Sequence, residues 1–112
     1  RSCIGAPVYF FFKIDTHQLS DDRQLVNLDE IARVAKKYDL RIRVTGAADS
    51  ATGSKEHNSE LSRNRAQYIC EQLVARGLNK KYIAKVSMGG VSELSPNDGN
   101  RFTRIELFFE PK

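Results

Sequence analysis

The sequence predicts a two-layer sandwich of the α+β or α/β class. Helices pack on a mixed four-stranded sheet, in the order β-α-β-α-β-β. Three observations carry this. Two segments, beginning near residues 21–27 and 59, place apolar residues at helical spacing, and each lies between strand-like runs. The segment "LRIRVTGAA" alternates apolar and polar residues with a period of two. The last two strands are joined by the long turn "GGVSELSPNDGN", which allows an antiparallel closing pair beside parallel ones.

The elements follow in chain order. "PVYFFFKI" (7–14) is nearly continuous in apolar and aromatic residues, the pattern of a strand buried on both faces. "DTHQLSDDRQ" is polar and turn-like. Leu25, Leu28, Ile31, Ala35 and Tyr38 then mark an amphipathic helix, with Asp29 and Glu30 early and Lys36 and Lys37 late, as the helix dipole favours. In 40–48, Ile42 and Val44 take one face of a strand and Arg41, Arg43 and Thr45 the other. Gly46 and the alanines after it allow a close approach to the backbone as that strand ends. A second helix is expected from about Ser59 to Arg76, with Asn58 as its N-cap and Gly77 as its stop. "YIAKVSM" (82–88) reads as a short strand. "RFTRIELFF" closes the fold, with Phe102, Arg104, Glu106 and Phe108 on one face.

At 112 residues, with 40% hydrophobic and 29% charged side chains, the chain is one domain, 1–112, with its core over about 8–109. No apolar run approaches the ~20 residues that span a bilayer as a helix. The first residue is Arg1, which reads as a piece excised from a longer protein whose missing part carries the targeting information. The net charge of +4 is modest, and no four basic residues stand together, so a solvated surface accounts for most of it. Cys70 falls on an apolar helix face beside Ala66 and Val74. Cys3 lies at the start without a lipid-attachment pattern, and a bridge between the two stays open.

One position breaks the pattern. The row Leu61, Arg65, Ile69, Leu73 sets a guanidinium among aliphatic side chains, and a lone carboxylate, Asp49, stands at the end of the strand upstream. Three explanations apply to Arg65: snorkelling to solvent, an internal ion pair with Asp49, or recognition of an outside anion. In open α/β sheets ligands bind beyond the carboxyl ends of the strands, where Asp49 is expected. A carboxylate and a guanidinium side by side suit a zwitterion, with N–H groups at the start of the second helix as further donors.

Asn58, Leu61, Ser62, Arg65 and Ala66 meet the pattern N-x-x-L-S-x-x-R-A downstream of a strand ending "TGAAD". Together with the aromatic first strand and the closing "TRIEL", they resemble the OmpA-like C-terminal domain from about Val8 to Phe109. That resemblance implies non-covalent binding of peptidoglycan through the diaminopimelate of its stem peptide. Carried over by position, Asp49 would take the ammonium and Arg65 the carboxylate. Asn58 would shape the pocket, Ala48 would contribute its backbone, and Arg104 would add a cation, with Arg101 competing for that role. The family often has threonine where this chain has Ala48, and an aromatic or histidine where it has Ala47. The resemblance further implies a periplasmic domain, itself outside the bilayer, tethered to the outer membrane by a missing upstream segment.

No cofactor, metal or catalytic residue is expected. His17 and His57 lie in polar loops, and neither a nucleophile motif, a metal-ligand cluster nor a phosphate loop is present. The alternative is a basic α/β nucleic-acid-binding module that uses Arg41 and Arg43 on an open strand face. Because Arg65 interrupts an aliphatic row, Arg65→Leu is expected to leave the fold intact or to stabilise it.

Overall fold

The computed structural model of the chain describes residues 3–50, 53–91 and 100–109. The elements are β1 (Val8–Phe11), α1 (Leu25–Lys37), β2 (Leu40–Asp49), α2 (Lys55–Ala75), β3 (Ile83–Val91) and β4 (Phe102–Phe109). Single 3₁₀ turns, Asp22–Gln24 and Lys80–Tyr82, precede α1 and β3. The sheet order is β1-β4-β2-β3. β2 and β3 pair parallel, because α2 carries the chain back across one face between them. β4 inserts between β1 and β2 and is antiparallel to both. The predicted class, mixed four-stranded sheet and element order are those observed, but the last two strands do not pair with each other, because β2 lies between β3 and β4.

One sheet face carries the core. Phe10, Ile42, Val44 and Ile105 meet Leu28, Ile31 and Ala35 of α1 and Ala66, Ile69 and Leu73 of α2, all buried. α1 is amphipathic as its spacing requires, with Tyr38 past its end and exposed. Gly77, at φ +95°, ends α2 where the sequence places the stop.

Three elements differ from expectation: β3 runs on to Val91, through the two glycines read as turn, and β1 and α2 differ as follows. β1 covers four residues, not eight, and it alternates: Phe10 is buried while Tyr9 and Phe11 are about a third exposed. Its outer edge is closed by a side chain, since the Phe11 N–H donates to Gln24 Oε1 at 2.7 Å and Gln24 Nε2 donates to the Phe11 carbonyl at 3.2 Å. With those groups satisfied, the chain turns away from the sheet after Phe12, which bridges back to Leu19. α2 starts a turn earlier than predicted. Its N-cap is Ser54, whose hydroxyl accepts from the His57 N–H, so Asn58 lies inside the helix.

Both cysteines are free thiols. Cys70 is half-buried, and burial pushes its thiol up to about 11, so it stays protonated at neutral pH. The turn between β3 and β4 falls largely on 92–99, outside the described residues.

Candidate functional site at the carboxyl end of β2

β2 changes character halfway along. Its first residues alternate, but from Val44 to Asp49 every residue is buried. Small side chains cause this, by letting α2 lie hard against the strand. A Cβ on Gly46 would stand 2.0 Å from the Ser62 carbonyl oxygen and 3.0 Å from the Ala66 nitrogen. Ser62 fastens the same contact to β3: its hydroxyl meets Ser87 Oγ at 2.6 Å and accepts from the Gly89 N–H at 3.1 Å. On the opposite face Ala47 packs with Phe102.

Asp49, at the strand end, is 2% exposed. Arg101 Nη2 lies 3.7 Å from its Oδ2. The sheet register explains why this arginine is the one in reach. Gly46 pairs with Thr103 in the antiparallel β2–β4 ladder, so the chain just before β4 runs on beside Ala48 and Asp49. Arg104 pairs with Thr45 instead, about 13 Å back along β2 at a strand rise near 3.3 Å. It turns to Glu106, with Nε 3.5 Å from Oε1. Of the two arginines that compete in the sequence, Arg101 is the one that stands at Asp49. Its Nε is buried and has no hydrogen-bond acceptor among the described residues.

Arg65 is fully buried, which removes snorkelling as its explanation. Its guanidinium lies over the Phe12 ring, 5.4 Å from the centroid, and donates to three backbone carbonyls. Nη1 reaches Ala47 O at 2.9 Å, Nε reaches Thr16 O at 2.8 Å, and Nη2 reaches Lys13 O at 3.2 Å. Burial, followed by the like charge of Arg101, pulls its pKa down to about 10, while Asp15 and then Asp49 oppose the shift. Arg65 therefore stays charged at neutral pH.

The remaining residues frame the mouth. Asn58 is 4% exposed, and its amide stands between Gly53 and Gly90: a Cβ on Gly53 would come within 3.2 Å of Oδ1, and one on Gly90 within 3.1 Å of Nδ2. Ala48 is buried and pairs with Gly90, so its methyl is not part of any opening. A cleft of about 380 Å³ opens beside it, lined by Ser50, Gly53, Lys55, Asn58, Met88 and Gly90 among others. The N-terminus of the 21-residue α2 borders this cleft and gives it a positive end.

The structure thus gathers Asp49, Arg65, Asn58 and Ala48 at one end of β2 and leaves Arg104 further off. Sequence reasoning missed the 13–18 loop, whose carbonyls hold Arg65. It also missed the tie between His57 Nε2 and Asp15 Oδ1. No side-chain pattern announces a backbone acceptor, although Asp15 in a short polar run is a usual residue for the positive φ of +57° found there. Among the described residues, no three His, Cys, Asp or Glu gather to hold a metal, and no helix is long and apolar enough to cross a membrane.

Comparison with known proteins gives a consistent answer. The family model described as "OmpA family" matches residues 11–104. Motility protein B of Helicobacter pylori is 29% identical over 118 aligned positions, which cover 96% of this chain and 46% of that protein. Peptidoglycan-binding protein ArfA of Mycobacterium tuberculosis is 39% identical over 69 residues, 58% of this chain and 21% of that protein. This chain therefore spans about half or less of these relatives. The crystal structure of the peptidoglycan-associated lipoprotein from Burkholderia pseudomallei superposes with a TM-score of 0.75 over 91% of this chain and 89% of that one, at 20% identity, a likeness of fold.

Proposed function

This chain belongs to the OmpA family, and from that premise we propose that it binds peptidoglycan non-covalently through the diaminopimelate residue of the stem peptide. Asp49 takes the ammonium of the diaminopimelate amino-acid end, and Arg65 takes its carboxylate. Asn58 and the backbone at Ala48 shape the pocket. Arg101, rather than Arg104, supplies the further cation.

The observation that carries this reading is the charge at the end of β2. One carboxylate, Asp49, stands among two arginines at the carboxyl edge of the sheet, beside a cleft at a helix N-terminus. Charges of both signs close together suit a ligand with one ammonium and one carboxylate. The similarity to a peptidoglycan-binding protein, ArfA, and to a peptidoglycan-associated lipoprotein supports the same polymer.

Each charge-assisted hydrogen bond is worth about 1.5–3 kcal/mol, set against several for association, so one site binds roughly in the micromolar to millimolar range. A polymer that repeats its stem peptides supplies avidity to many tethered copies. The domain accordingly acts as an anchor without covalent chemistry, in the periplasm, tethering an outer-membrane or other envelope protein to the wall. A nucleic-acid platform on the open sheet face is not favoured, because Arg43 is paired with Glu106 at 3.0 Å and Arg41 lies over the Tyr82 ring at 3.7 Å.

The test is sedimentation with purified sacculi, competed by free diaminopimelate with lysine as control. Asp49→Asn is expected to abolish pelleting while the domain remains folded by circular dichroism, and diaminopimelate but not lysine is expected to release the wild type. Full retention by a folded Asp49→Asn domain would overturn the site.

A further inference from the structure

The loop at residues 13–18 occupies the part of Arg65 that a ligand carboxylate needs. A guanidinium recognises a carboxylate through two adjacent N–H groups pointing the same way. On Arg65 the Nε and Nη2 edge already meets two oxygens, the carbonyls of Thr16 at 2.8 Å and Lys13 at 3.2 Å. Two neutral oxygens from the chain stand where two carboxylate oxygens would. They satisfy the donors without bringing a charge of their own, whereas a carboxylate in the same place would accept both bonds in two-pronged fashion and add an opposite charge.

The loop is built to move as one piece. Lys13 N–H donates to Gln18 O at 2.9 Å, Thr16 N–H to Lys13 O at 3.2 Å, and Thr16 Oγ1 to Lys13 O at 3.0 Å. The Phe12–Leu19 bridge closes its base. Its residues other than Thr16 are exposed. Two side chains of α2, two turns apart, hold it down: Arg65 from beneath, and His57 through Asp15. Asp15 sits at φ +57°, a conformation that costs a non-glycine residue energy unless its surroundings hold it.

We propose that the 13–18 loop is a displaceable plug on the carboxylate subsite, with Asp15 and His57 as the positioning residues that keep it shut. This rests on the reading that Arg65 takes the ligand carboxylate. When the plug lifts, the Nε and Nη2 edge of Arg65 is exposed, while its bond to Ala47 continues to aim it. The apparent dissociation constant is then the intrinsic one divided by the fraction of open molecules. The Asp15–His57 pair is solvent-exposed, so its removal raises that fraction by about two- to fivefold.

The experiment uses Asp15→Asn, which tolerates the positive φ, His57→Gln, and the double variant. Diaminopimelate is titrated into each, and phenylglyoxal modification of Arg65 is followed by peptide mass spectrometry with and without ligand. Both single variants are expected to bind about two- to fivefold more tightly. Arg65 modification is expected to accelerate by the same factor, the double variant to match the singles, and ligand to protect Arg65. A merely structural pair would weaken binding when removed. Unchanged or weaker binding and unchanged labelling, with Asp49→Asn still abolishing binding, would overturn the plug and leave the binding site standing. Wild-type binding by Asp49→Asn would overturn the site and the plug together.

Discussion

Arg65 donates its Nη1 proton to the carbonyl oxygen of Ala47 across 2.9 Å, tying the charged member of an α2 row to the strand end two residues before Asp49. With its other two bonds, this makes Arg65 a strut between three segments that sequence separates widely: residues 13–16, residue 47 and α2. The aliphatic row around it is core, and the guanidinium caps that core at the end next to the site.

This bonding reverses the expectation for Arg65→Leu. Leucine fills the row but leaves the carbonyls of Lys13, Thr16 and Ala47 without their donor. We expect a loss of about 3 kcal/mol, from three charge-assisted bonds partly replaced by water at the two carbonyls nearer the surface. A urea titration measures it. Arg65→Lys, a point donor without the planar fork, falls between leucine and wild type. A leucine variant as stable as wild type would show that the three bonds contribute nothing net.

Gly46→Ala tests the close approach of β2 and α2. Its Cβ would lie 2.0 Å from a backbone oxygen, which no rotamer change relieves. Strand and helix must separate, so a cost of about 3 kcal/mol or more is expected, at the top of the usual range for overpacking. Differential scanning calorimetry should show the melting point falling by about 13 °C or more, or folding being lost.

The two arginines of the last strand region separate by function. Arg101→Gln is expected to weaken sacculus binding by about tenfold, the equivalent of one charge-assisted bond, because it removes the cation 3.7 Å from Asp49. Arg104→Gln, facing Glu106, is expected to change binding by less than about twofold. Equal effects would mean that the register in the final ladder does not decide which arginine meets the ligand.

Acid should loosen the open face of the sheet. The hydrogen bond from Arg43, with its charge and that of Arg104, holds the Glu106 carboxyl below its ordinary value of 4.5. The unfolded chain therefore binds the proton first. The contribution is complete above about pH 4.5 and is lost as pH falls through the folded value. Arg43 is nearly half exposed, so the contribution is at most about 1 kcal/mol. Glu106→Gln should flatten the dependence of melting temperature on pH below 4.5, and a parallel curve in the variant would rule the pair out as its source.

How much was legible depended on how local each feature is. The element order, the alternation of early β2 and the glycine stop of α2 follow from residues within a turn or two of one another, and all are found. The early start of α2 was not read, because Ser54 and Asn58 are both good caps and only the loop geometry chooses between them. The short β1 was missed for a similar reason, since its edge is closed by Gln24, thirteen residues away.

By itself, the sequence placed a carboxylate at a strand end and an arginine in an apolar helix row, both at the same end of a mixed sheet, and left open what each of them meets. Periodicity and connection rules suffice for that. Only the tertiary structure decided that Arg65 is buried under carbonyls of the 13–18 loop, and that Arg101 rather than Arg104 stands at Asp49. The reason is physical. Backbone carbonyls belong to every residue and carry no side-chain signature, and a register shift of a few residues moves a charge by ~10 Å without changing the alternation that the sequence displays.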